Sequence, residues 1–142
     1  MRKKNITIQI VVADYYKKIT DSLTQAATYH LQKKNLSYDI IKVPGVYEIP
    51  QIIKWKLNRR RYNFFIVLGC VIKGDTYHFE VISDAVGQSL LDISLSNPKT
   101  IITNGIINAY SGLQAKKRSK ADSKNKGFEA ANAMVRMIEC LV

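Results

Sequence analysis

The sequence predicts an α/β fold of three layers, with helices on both faces of a central, mostly parallel four-stranded sheet. Three observations carry that expectation. β-branched apolar runs of strand length alternate along the chain with stretches whose apolar residues recur every three or four positions. Each strand–helix–strand passage implies a right-handed crossover, which lays its two strands parallel. The run Phe64-Phe-Ile-Val-Leu68 is continuously apolar, as befits a central strand buried on both faces.

The elements follow in order. Ile6–Val12 is β-branched and reads as the first buried strand. Thr20 or Asp21 can cap a helix to about Lys34, with Leu23, Ala26, Ala27 and Leu31 on one face, and Asn35 ends it. Ser37–Val43 is a second strand, stopped by Pro44-Gly45. Pro50 suits the first turn of a helix reaching about Arg61, apolar at Ile52, Ile53 and Leu57. The third strand runs from Phe64 to Ile72, and helical periodicity returns from about His78 to Leu95. After Pro98, Thr100 to about Ile107 forms a fourth strand. A short helix over Ser111–Arg118, a basic connection over Ser119–Lys126 and a last helix over Gly127–Leu141 complete the chain, the last with Phe128, Ala131, Met134, Val135 and Ile138 inward.

With 142 residues, the expectation is a single domain over 1–142. A content of 46% hydrophobic and 23% charged residues excludes the disordered and collagen-like classes. No apolar run approaches the roughly 20 residues that would span a bilayer. Thr7 and Gln9 interrupt the apolar stretch after Met1–Lys4, and no small-residue cleavage site follows, so no secretory signal is expected. Cys70 and Cys140 match no metal or redox spacing, which fits a reduced, cytoplasmic protein. The net charge of +11 raises a polyanion as a partner. Yet the basic residues are spread over Arg2–Lys4, Lys54–Arg61 and Lys116–Lys126, without a zinc-finger or aromatic RNA-binding signature. A solvated basic surface is the simpler reading, and nucleic acid is not expected as a partner.

In folds of this class ligands bind beyond the carboxyl ends of the strands, which selects residues 13–16, 44–48, 70–78 and 104–110. Tyr15 and Tyr16 offer rings that can either stack on a planar ligand or pack as a lid. Pro44-Gly45 shapes a turn whose backbone groups the sheet leaves free, and Glu48 can bond ligand hydroxyls or cap the next helix. Gly74-Asp-Thr76 before a helix start makes an anion site, although the P-loop pattern is absent. Asp75 would sit there if its side chain caps the helix and points away. His78, in the first turn, stands beside that anion, and histidine is the side chain best suited to general acid–base work near neutrality. His30 lies within the first helix and reads as structural. Arg118, Lys120, Lys124 and Lys126 can grip a phosphate or form a solvated charge run.

Together, four segments resemble the lumazine synthase family: Val43-Pro-Gly-Val-Tyr-Glu-Ile-Pro50, Leu68-Gly-Cys-Val-Ile-Lys-Gly-Asp-Thr-Tyr-His-Phe-Glu80, Gln114-Ala115 with Arg118, and Asn125-Lys-Gly-Phe-Glu-Ala-Ala131. They cover nearly the whole chain in the family's order. The resemblance implies a flavodoxin-like fold. It implies condensation of 5-amino-6-(D-ribitylamino)uracil with 3,4-dihydroxy-2-butanone 4-phosphate to 6,7-dimethyl-8-ribityllumazine, without metal or organic cofactor. By resemblance, Tyr15 is the aromatic platform. Val46, Tyr47, Glu48, Cys70, Val71 and Ile72 meet the ribityl chain and pyrimidine, largely through backbone. Asp75, Thr76 and Arg118 hold the phosphate, His78 moves the proton, and Lys126 stands near the pyrimidine. It also implies a homo-oligomer, a pentamer or a multiple of pentamers, in which Asn104, Arg118 and Lys126 reach a neighbour's site.

Family members often carry Arg-Phe-Asn where this chain has Asp14-Tyr15-Tyr16, phenylalanine where it has Asn104, and a Thr-rich segment where it has Asn108-Ala-Tyr110. Two other classes fit parts of the sequence. A non-catalytic flavin- or pterin-binding homologue would bind without turnover. A nucleic-acid-binding α/β module, motivated by the charge alone, would show affinity falling steeply with salt. Response-regulator receivers share the element order but need an Asp after the third strand, where Gly69-Cys70 stands.

Overall fold

The computed structural model describes residues 5–141. Strands β1 (Thr7–Ala13), β2 (Ser37–Val43), β3 (Phe64–Ile72) and β4 (Ile101–Ala109) form one sheet in the order β2-β1-β3-β4. Every pairing is parallel, with Val11 opposite Ile41 on one side and Val67 on the other. Helices α1 (Lys17–Lys33), α4 (Gly112–Ser119) and α5 (Lys126–Leu141) cover one face, and α2 (Ile49–Asn58) and α3 (His78–Ser96) the other.

Period-2 alternation sorts β3 between two cores. Phe64, Ile66, Leu68 and Cys70 join Ile8, Ile10 and Val12 against Leu23, Ala27 and Leu31 of α1 and Ala131, Met134 and Ile138 of α5. Phe65, Val67 and Val71 join Val11 and Ala13 against Ile49 and Ile53 of α2 and Phe79, Val86 and Leu90 of α3. A strand buried on both faces needs apolar residues at every position, which is why its sequence shows no alternation.

Three boundaries differ from the sequence reading. Helix α1 begins at Lys17, three residues before the expected cap. Thr20 Oγ1 instead bonds the Tyr16 carbonyl oxygen at 3.2 Å, and Asp21 Oδ2 accepts from Lys17 Nζ at 2.8 Å, so both act inside the first turns. Helix α2 stops at Asn58 rather than about Arg61, because Arg60 takes a left-handed φ of 54°. Strand β4 continues to Ala109, paired with Ile72. The remaining ends agree with expectation to within a residue or two.

The basic segment at residues 2–4 lies outside the described residues. In the second basic cluster, Arg59 stacks over Trp55 at 4.7 Å and Lys56 over Tyr62 at 5.7 Å. The third is tied down by Asn125, which is fully buried. Its Nδ2 donates to the Ser119 and Lys120 carbonyl oxygens at 3.0 Å each, and its Oδ1 accepts from Gly127 N at 2.8 Å and Phe128 N at 3.1 Å. One side chain thus caps α5 and fixes the incoming connection. At Gly127 the backbone of α5 lies directly against the Leu23 carbonyl of α1. His30 is structural as expected: its ring meets Phe128 edge-on at 4.9 Å, and burial lowers its pKa.

A candidate active site at the carboxyl ends of β1 and β3

The chain runs from β1 outward to β2 and then returns to place β3 on the other side of β1. The loops after β1 and β3 therefore diverge, and they leave a crevice at that switch point. The crevice is a cleft of about 650 Å³. Tyr15 and Tyr16 come from the end of β1, and Pro44, Gly45, Val46, Tyr47 and Glu48 from the turn after β2. Cys70, Val71 and Ile72 close β3, and His78, Val81 and Ile82 project from the first turns of α3.

Tyr15 is 76% exposed and makes a T-shaped contact with Tyr16 at 5.0 Å, which leaves at least one face of its ring open for stacking. Val46–Glu48 form a 3₁₀ turn that sequence periodicity does not reveal. Glu48 stands at the start of α2 but makes no capping hydrogen bond, so the capping alternative is not what its side chain does. Its carboxylate folds over Gly45, where a Cβ would come within 2.9 Å of Oε2. Any side chain at residue 45 would push Glu48 out of this position. Burial pushes the Cys70 thiol up to about 11, so it is a neutral wall of the cleft rather than a nucleophile. Burial also raises the Tyr16 phenol.

The loop Lys73–Tyr77 between β3 and α3 is exposed. Helix α3 starts at His78 behind Tyr77, without a side-chain cap. Asp75 therefore does not cap the helix as expected, and Thr76 lies two residues ahead of the first helical turn. His78 itself faces the cleft.

Asp75, Thr76, Asn104, Arg118 and Lys126 do not line the cleft. Asn104 is exposed on the edge strand β4, its Oδ1 accepting from Ile106 N at 2.9 Å. Arg118 is exposed in the last turn of α4, and Lys126 opens α5 with Glu129 3.7 Å from its Nζ. Val81 and Ile82 are lining residues outside the strand-end segments that the switch-point rule selects. Their signal was the spacing from His78, since residues three and four apart share one side of a helix. A second groove, of about 620 Å³ between α1 and the end of α4, holds Lys120 alone of the candidate phosphate-binding cations. Among the described residues no group of His, Cys, Asp or Glu could hold a metal, and no helix is long and apolar enough to cross a membrane.

The parallel sheet and its switch-point cleft define an α/β protein whose cleft brings together an exposed aromatic ring, a 3₁₀ turn and a histidine. The family model for 6,7-dimethyl-8-ribityllumazine synthase matches residues 5–142. The chain is 43% identical over 139 residues to the 6,7-dimethyl-8-ribityllumazine synthase of Bartonella tribocorum, covering 97% of this chain and 91% of that one. It is 40% identical to the enzyme of that name from Bartonella henselae, over 95% and 88% of the two chains. With that of Afipia carboxidovorans it shares 41% identity over 92% and 83%. The chain belongs to the 6,7-dimethyl-8-ribityllumazine synthase family. Its activity is that of a lumazine synthase, a transferase of riboflavin biosynthesis.

Proposed function

We propose that the switch-point cleft is where 5-amino-6-(D-ribitylamino)uracil meets 3,4-dihydroxy-2-butanone 4-phosphate. The observation that carries this reading is convergence. Tyr15, the Val46–Glu48 turn, Cys70–Ile72 and His78 come from four separate stretches of sequence and line one cavity. Tyr15 stacks on the pyrimidine, while Glu48 and the free backbone groups of the turns bond the ribityl hydroxyls and ring edges. The amine attacks the ketone and loses water to form an imine, phosphate leaves by elimination, and ring closure expels a second water. His78 takes and returns protons during these steps. Thr76 meets the phosphate at the mouth of the cleft, and Asp75 meets it through its backbone N–H, its carboxylate turned away from the anion.

Among the described residues, no lysine or arginine lines the cleft of one chain. We therefore assign Asn104, Arg118 and Lys126 to a neighbouring copy's site, in a pentamer or a multiple of pentamers working in the cytoplasm. Helix α3 supports contact with a neighbouring copy: Val81, Leu91 and Leu95, with Tyr77 just before the helix, stand exposed on one side around Asp84 and Gln88. Light scattering on the purified protein tests the assembly, and a monomer with full activity would overturn the shared site.

Formation of the lumazine chromophore from the two substrates tests the whole reading. Within it, His78→Gln should bind a substrate analogue normally yet turn over about ten- to a hundredfold more slowly, at or below the lower end of the roughly 10²–10⁴-fold typical of general acid–base help. Positioning of two reactive partners preserves the remaining rate. Full kcat across pH 6 to 8 would move the proton shuttle to solvent, to the phosphate or to Glu48. At the platform, Tyr15→Phe should keep activity and Tyr15→Ala should lose it, because the ring face does the holding. Equal damage by both would make the hydroxyl the working group.

A further inference from the structure

Lys73 and Glu80 take no part in the chemistry above, yet they bracket the exposed loop that carries Asp75 and Thr76. Lys73 Nζ lies 3.7 Å from Glu80 Oε1 and 5.8 Å from the centroid of the Tyr110 ring. Its backbone N–H donates to the Ala109 carbonyl oxygen at 2.9 Å, and Tyr110 packs against Phe79 with ring centroids 5.9 Å apart. The lysine thereby touches the first turn of α3 and the end of β4 at once. Lys73 is the one cation within ion-pair distance of Glu80 among the described residues. Glu80 Oε2 is buried without a hydrogen-bond partner, so no competing bond draws the carboxylate elsewhere. Between the Lys73 backbone bond at one end and buried Phe79 at the other, the turn itself is loosely held: the start of α3 lacks a side-chain cap, and a Cβ at Gly74 would meet open space.

We infer that the Lys73–Glu80 pair is a latch that sets the Gly74–Tyr77 turn against the first turn of α3, so that both are positioning residues for the phosphate-bearing substrate. That the phosphate end feels the latch rests on the assignment of Thr76 and Asp75 given above. The pair sits on the side of α3 that carries Phe79, Glu80 and Ser83, whereas the cleft is lined by His78, Val81 and Ile82. The latch thus acts through the loop rather than by touching the pyrimidine.

The test uses the full assembled enzyme and four forms: native, Glu80→Lys, Lys73→Glu and the exchanged pair. A half-exposed ion pair is a weak constraint, so each single variant should raise the KM for the butanone phosphate about two- to fivefold and leave kcat and the pyrimidine KM nearly native. Hydrogen exchange of the amides of residues 74–80 should quicken in both single variants. The exchanged pair should recover both properties, because it restores opposite charges across the same gap. Unchanged exchange in the single variants would overturn the latch. An exchanged pair as impaired as Lys73→Glu alone would overturn it too, by making Lys73 a direct phosphate contact. Quickened exchange with an unaltered KM would keep the latch and instead sink the phosphate assignment.

Discussion

Replacing Arg118 by alanine should raise the apparent KM for the butanone phosphate by about 10- to 150-fold, while the KM for the ribitylaminouracil stays close to native. The figure is the roughly 1.5–3 kcal/mol of a charge-assisted hydrogen bond that the variant cannot make. Arg118 ends α4 with its side chain in solvent, and the buried amide of Asn125 holds the connection that follows. Its loss therefore removes a ligand contact without disturbing a core. Steady-state kinetics with each substrate varied in turn decides the matter. A parallel rise in both constants would place the phosphate clamp at Lys120 or Lys124. In mixtures of this variant with the slowed His78→Gln variant, shared sites should exceed the summed activity of the two alone, because some clefts then receive His78 from one chain and Arg118 from another. A complete absence of such an excess would mean that both residues serve the same chain's cleft.

The second large effect is structural. Gly127→Ala should cost about 3 kcal/mol or more of stability, at or beyond the upper end of ordinary overpacking. A Cβ there would overlap the Leu23 carbonyl oxygen and stand 2.7 Å from the carbonyl carbon, both backbone atoms in the middle of α1. Backbone cannot swing aside as a side chain does, so α5 would have to lift off α1. Against a total stability of about 5–15 kcal/mol, such a loss should lower the thermal midpoint by about 10 °C or more. A shift of only a degree or two would mean that the two helices slide apart freely.

Much of this was legible beforehand because the signals are local. The continuous apolar run at Phe64–Leu68 identified a strand buried on both faces, and the alternation of elements dictated parallel pairing. Strand-end residues followed from the switch-point rule, which brought Tyr15, Glu48, Cys70 and His78 to one cleft. The misread features depend on competition the sequence does not display. Thr20 and Asp21 have capping chemistry, but both found partners inside α1, and the helix began earlier. Asp75 likewise has a cap's side chain, yet the chain turned at Tyr77 and left it outside the helix. The left-handed residue that ends α2 is Arg60, a type with no marked preference for that conformation, so no glycine announced the stop. The pairing of Lys73 with Glu80 was also invisible, since it joins a loop to a helix turn seven residues on.

The contact of α1 with α5 also bears on the order in which the molecule can be completed. Synthesis releases β1, α1 and β3 long before α5, yet Ile8, Ile10, Ile66 and Leu68 share their core with Ala131, Met134 and Ile138 of that last helix. A ribosome-bound chain lacking residues beyond Asn125 would hold a sheet with one side closed by α2 and α3 and the other covered only by α1 and α4. Such an open apolar face invites association with other nascent chains. The sixteen-residue helix α5 is therefore the element that covers this sticky face of the intermediate.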